Sequence, residues 1–179
     1  MPLFKSLRAP TATASIEMTK DNFAMGETIT GNVTVTSDDE FEAKEIRVEL
    51  HGWEKLKEVN GVYEGDEEGE SSLTRLYSSG EPSGSSDAMG FPMYEDQTIV
   101  AGRTNITKGF NQRFPFRITV PTHLGPSFQG TRHDGHWLER TWTLKSTVAV
   151  GGRPDVKAER PIQVSVAANP PGIFPSQPA

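Results

Sequence analysis

The step His133-Asp134-Gly135-His136 comes nearest, by residue type and spacing, to a reactive site in this chain. Neutral imidazole and carboxylate are suitable ligands for zinc and similar ions. A third or fourth ligand would have to come from nearby, with His123 or Glu139 in reach along the chain. On that reading the turn would support metal-dependent hydrolysis. The same four residues also read as a polar turn ahead of a strand, because Asp-Gly is a common turn pair. A second cluster, Glu64, Asp66, Glu67, Glu68 and Glu70, offers the carboxylate oxygens that calcium prefers. It lacks the spaced twelve-residue loop with a closing Glu, so it reads as a solvated loop able to meet a basic partner.

Other chemistries find no nominee. The serines stand without a nucleophile elbow, and the four histidines show no spacing that designates a base. No pair of carboxylates stands out for glycoside chemistry, and there is neither a phosphate-cradling loop nor a dinucleotide fingerprint. The absence of cysteine removes disulfides, thiolate metal sites and cysteine nucleophiles. The expectation is therefore no catalytic residue, no cofactor and no metal. Trp53, Trp137 and Trp142 are the residues able to stack on a sugar, which makes a carbohydrate or other small ligand the main alternative. Trp142 shares the register of Leu144 and reads as core, whereas Trp137 has the opposite parity and Trp53 follows Gly52.

The elements that would position these residues are strands. From 28 to 36, Ile29, Val33 and Val35 fall on one face and Thr28, Thr30, Thr34 and Thr36 on the other. Ile46, Val48 and Leu50 oppose Glu45, Arg47 and Glu49. The same period of two runs through Phe114, Phe116, Ile118 and Val120, then Trp142, Leu144, Val148 and Val150, then Ile162, Val164 and Val166. Ala12, Ala14, Ile16 and Met18 make a weaker opening strand. Turn signals at Asp21-Asn22, Met25-Gly26-Glu27, Asp38-Asp39 and Gly151-Gly152-Arg153-Pro154 separate them. Seven to nine strands in an all-β, immunoglobulin-like β-sandwich of two antiparallel sheets are expected. The sequons at Asn32 and Asn105 fit Thr-rich strands and are read structurally.

With 179 residues the chain suits one domain, residues 1–168, which would bury roughly 70% of its unfolded surface. Residues 58–92, acidic and then rich in Ser, Gly and Pro, read as a long mobile insertion, with Leu73–Tyr77 as a short strand inside it. Residues 169–179 form a proline-rich flexible tail. The net charge of −6 disfavours non-specific binding to nucleic acid or anionic lipid. No integral membrane segment is legible, and the amino terminus lacks a signal-peptide pattern, so a cytoplasmic protein is expected.

Three segments in order carry a family resemblance. They are Phe23-Ala24-Met25-Gly26-Glu27-Thr28-Ile29-Thr30-Gly31-Asn32-Val33, then Ile46-Arg47-Val48-Glu49-Leu50-His51-Gly52, then Phe114-Pro115-Phe116 through Val120-Pro121 with Pro126-Ser127-Phe128-Gln129-Gly130. Together they resemble the arrestin-like superfamily, specifically a single arrestin amino-terminal sandwich, over most of residues 11–167. Within it the chain is most similar to prokaryotic sporulation-control proteins, retromer's arrestin-like subunit being more distant. The physical reading of these residues is scaffolding. Gly26 and Gly31 permit special backbone conformation or close approach, Pro121 ends its strand, and Phe128 plugs the sandwich end.

The chain also departs from the family. At 179 residues a single sandwich is expected, without the second one through which signalling arrestins sense phosphorylated receptors, so phosphate sensing is not expected to carry over. Its Pro170-Pro171-Gly172-Ile173 lacks the tyrosine of the ligase-recruiting P-P-x-Y motif. What the resemblance implies is a non-enzymatic intracellular interaction or regulatory module. Its protein partners would bind at exposed strand edges or end loops, and the same edges would serve homo-oligomer formation.

Overall fold

The alternation of branched and polar residues folds as it reads, into strands that each turn one face inward. The computed structural model describes residues 8–58, 88–131 and 136–166, in which the regular structure is all strand. Strands β1 (Ala12–Met18), β3 (Thr28–Ser37) and β7 (Phe110–Thr119) make one sheet, with β3 central. The other sheet contains β2 (Asn22–Ala24), β4 (Phe41–Glu58), β5 (Ala88–Ala101), β9 (His136–Val150) and β10 (Val156–Ser165), in the order β2-β10-β9-β4-β5. To it β6 (Thr104–Ile106) adds along β4, and β8 (Phe128–Thr131) along β9.

Between the sheets lies one apolar core. Ile29, Val33, Val35, Phe116 and Ile118 of the small sheet share it with Ile46, Val48, Leu50, Trp142, Leu144, Val148, Ile162 and Val164 of the large one. Gly52 pairs across the ladder with Trp142, whose ring lies where a Cβ on Gly52 would be crowded. Gly31 has a similar role opposite Phe116: a Cβ there would overlap the Glu17 carbonyl oxygen and come within 2.7 Å of the Phe116 ring. Gly26 adopts φ +82, a region open to glycine. The turn it forms is closed by Gly26 N–H on the Val120 carbonyl (3.0 Å) and by the Glu27 carboxylate, which accepts from Ala24 N–H (2.9 Å) and pairs with Lys20. Val120 still donates to Glu27 O at 2.9 Å, and Pro121 then ends the pairing.

Several expectations need correction. The described residues hold ten strands, not seven to nine, because β2, β6 and β8 are too short to show a period in sequence. The sheets are not wholly antiparallel, since β2 lies parallel to β10. The proposed insertion of 58–92 is trimmed at both ends: Glu58 pairs with His136, and 88–92 belong to β5. The rest of it, including the acidic run and Leu73–Tyr77, lies outside the described residues, as does the 169–179 tail. Val166 falls beyond β10 and is 68% exposed, and Phe128, expected to plug the sandwich end, is 43% exposed at the start of β8.

Away from the core, Arg153 fastens the turn before β10 to the turn before β4. Its Nη2 donates to Asp39 Oδ2 at 2.6 Å, its Nε donates to the Arg8 carbonyl at 3.0 Å, and its guanidinium lies over the Phe41 ring. Arg153 beside Asp39, helped by the Glu40 N–H, holds the Asp39 carboxyl below its usual range.

Two outcomes follow from this packing. Gly31→Ala should lower unfolding free energy by about 3 kcal/mol, the upper end for overpacking, because a backbone carbonyl cannot swing aside; urea denaturation reads it. Asp39, its folded pKa depressed, contributes stability that is present above its unfolded pKa and lost as pH falls through the folded one. Carboxyl NMR titration should place its midpoint below that of an ordinary aspartate, and Arg153→Gln should move it most of the way back up.

Candidate functional site

Free strand edges are where a sandwich can accept another chain, and here most of them are blunted. Arg117 turns its carbonyl away from β3, accepting from Thr98 Oγ1 at 3.3 Å. By alternation Pro115 nitrogen lies on that same free edge of β7, where a missing N–H costs no ladder bond. At the edge of the large sheet, β5 carries Pro92, and its register against β4 shifts twice, leaving Met93 and Val100 as extra residues. Asp96 occupies a position of inward parity there, opposite Leu50. Proline, bulges and inward charge are the devices that discourage edge pairing. The short strands β2, β6 and β8 offer little edge at all. Strand β1 differs: it has no proline and no register shift against β3 through seven pairs. On its outer side the Ile16 carbonyl accepts from Arg160 Nη1 at 2.9 Å, and β10, which carries Arg160, runs close to β1. That contact shows that the even-numbered residues, Ala14 among them, direct their backbone groups outward.

At one end of the large sheet the inner face turns polar. Glu54 and Arg140 pair across β4 and β9 at positions that continue the Leu50 and Leu144 rows. Arg140 donates from Nη2 and Nε to Glu54 Oε2 at 2.6 and 3.0 Å, and Nε also lies 3.2 Å from Met93 Sδ. The loop before β8 closes over this pair. A Cβ at Gly125 would overlap the guanidinium, so this glycine is set by the arginine beneath it. Ser127 ties the loop down, donating its N–H to the Val164 carbonyl (2.8 Å) and accepting from Val164 N–H (2.9 Å).

The outer face of the large sheet holds a row of ionisable side chains along β4: Glu45, Arg47, Glu49 and His51. Arg47 donates to Glu45 Oε1 at 2.7 Å and to Glu49 Oε1 at 2.9 Å. Burial pushes the Glu49 carboxyl up, but the hydrogen bond and charge of Arg47 outweigh it and hold the group below its ordinary value. Thr147 donates to Glu49 Oε2 at 3.3 Å. His51 Nε2 lies 3.8 Å from that oxygen, and Glu95 stands opposite His51 on β5. Glu49, His51 and Glu95 each bring a donor atom within 4.8 Å of the other two.

Of the residues nominated from sequence, His133 and Asp134 lie outside the described residues. His136 and Glu139 are both on β9 but three residues apart, on opposite faces, and Glu139 pairs with Lys55 at 3.6 Å. His123 sits edge-on to Tyr94, whose ring leans on Trp142. Trp142 is buried, as its register implies, and Trp53 is 41% exposed. Trp53 and Trp137 share the outer face, but Trp53 pairs with Thr141, four residues along β9, so their backbone positions lie about 13 Å apart along the ladder with the Lys55–Glu139 pair between them. Glu49, His51, Glu95, Glu54 and Arg140 were not singled out in sequence, because only strand register brings them together.

Removing one partner of the Glu54–Arg140 pair should be costly and removing both should not. Glu54→Gln, which leaves the guanidinium without its counter-charge, should destabilise by about 3 kcal/mol, and the double change Glu54→Leu with Arg140→Met should recover most of it. Thermal and urea melts of the single and double variants read the difference.

Residues 13–169 match the family described as Arrestin (or S-antigen), N-terminal domain. Among solved structures the fold is similar to that of Spo0M, a sporulation control protein from Bacillus subtilis, with a TM-score of 0.57 at 16% identity. That likeness covers 87% of this chain and 50% of Spo0M, so this chain spans about half the length of that relative. No curated protein matches this sequence. No helix among the described residues is long and apolar enough to cross a membrane. With the family match extending from β1 through β10, this chain belongs to the arrestin N-terminal domain family.

Proposed function

We propose that this protein is a non-enzymatic interaction module that docks a protein partner by pairing backbone along the regular edge of β1, displacing the Arg160 contact from β10. The observation that carries this reading is the contrast between edges. Proline and register shifts interrupt the long edges at β5 and β7, while β1 is regularly paired with β3 through seven residues, of which the even-numbered ones turn their backbone groups outward. Family membership supports a regulatory or binding role, and Spo0M, similar in fold, is a sporulation control protein. The end loop over Glu54 and Arg140 is the other surface through which a partner would bind. The compartment this reading assigns is the cytoplasm, in keeping with a chain that uses no cysteine. The same β1 edge is the route by which two copies would pair.

Ala14→Pro tests the edge directly. The outward amide is deleted, while the bonds from β1 to β3 are spared. Native-lysate capture on the wild-type chain should return a reproducible partner, and Ala14→Pro should lose it while melting within a few degrees of wild type. A partner retained by Ala14→Pro would move the docking site elsewhere on the module. No reproducible partner under any condition would overturn the reading.

A further inference from the structure

The ionisable row on the outer face of the large sheet contains one atom that the protein itself leaves unanswered. His51 Nε2 is buried and has no hydrogen-bond partner. Its nearest acceptor, Glu49 Oε2, is 3.8 Å away, beyond the range of an N–H···O bond. Yet two ligands sharing a tetrahedral zinc ion lie about 3.4 Å apart, given metal–ligand bonds of roughly 2.0–2.2 Å. The separation is thus too long for a proton bridge and within a small side-chain adjustment of a shared ion.

The surroundings are arranged as a ligand set needs. The Glu49 side chain is only 7% exposed, and its Oε1 is taken by Arg47, which leaves Oε2 turned toward His51. Outer groups that orient a coordinating carboxylate in this way are usual at metal centres. Thr147 Oγ1 uses one lone pair of Oε2 and leaves the other. Across the ladder, Glu95 brings a second carboxylate from β5, between the register shifts at Val100 and Met93. The other charges facing this place are Arg47, Glu45 and, on β9, Lys145. Arg47 is shared between Glu45 and Glu49, so the charge of Glu95 is left for an incoming cation.

We propose that Glu49, His51 and Glu95 are a three-ligand site for a divalent transition-metal ion, zinc by ligand chemistry. An imidazole among the donors argues against calcium or magnesium, which take oxygen shells. Three protein ligands leave a fourth position on the outer face, where water completes the shell.

Chelator-stripped full-length protein titrated with zinc chloride by calorimetry tests the site, with cobalt(II) absorbance as a second readout. The expected result is one ion per chain, a visible cobalt band, and a rise in melting temperature on adding zinc. His51→Ala and Glu95→Gln should each abolish the band and weaken zinc binding by tenfold or more, with their metal-free melts close to wild type. Glu49→Gln is the less decisive variant, because it also releases Arg47. His136→Ala should leave binding unchanged. Binding lost in His136→Ala and kept in His51→Ala would overturn the assignment, and so would failure of the wild-type chain to take up zinc or cobalt at micromolar concentration.

Discussion

The pairing of β4 with β9 is the constraint on which the rest of this molecule depends. These two strands run antiparallel from the Ala43–Val150 pair to the Glu58–His136 pair, and the register shifts only once, near Ala43. Every other strand of the large sheet adds to one of them or to β10, which itself pairs with β9. The register decides which side chains meet the small sheet. It sets Leu50 against Leu144 and Gly52 against Trp142, and the opposite parity sends Glu49 and His51 outward. A slip of one residue would exchange these faces, burying the ionisable row and exposing the core.

The ribbon outruns the small sheet, and the consequence is chemical. Where β3 and β7 cover it, the inner face is apolar apart from Ser146, opposite Val48. Further along, the same face continues with Glu54 and Arg140, which satisfy each other under the loop containing Gly125. A pair of this kind adds little net stability when both partners are present, but it fixes the geometry of the loop lying over it. One ladder therefore supplies the hydrophobic core, the seat of the end loop and the outer ionisable row.

How far the sequence could be read follows the same division. Ile46, Val48 and Leu50 declared their face because a full sheet lies against them, and Phe116 and Ile118 did likewise. Pro115 stood inside an alternating run, and the free edge of β7 explains it. Strand β5 could not be read, because the extra residues at Met93 and Val100 break its period and Asp96 takes a position of inward parity. Glu54 and Arg140 look like surface residues by type, and only their place in the ladder makes them interior. The His133–His136 step drew attention because its members are adjacent in sequence. Glu49, His51 and Glu95 are neighbours only across two strands, a relation that composition and spacing along one chain do not encode.

A protein whose edges are mostly closed has a defined combining number. If β1 accepts one strand, the newcomer occupies the most regular row of outward amides among the described residues, and the far rim at β7 offers Pro115 in place of a second such row. Growth by repeated head-to-tail addition then has nowhere to continue. Two chains meeting through β1 would be related by a twofold axis, each consuming the edge of the other, and the assembly would stop at two. The proline on the opposite edge thus bears on stoichiometry: under that proposal it would favour closed pairs over a sheet that could template a fibre.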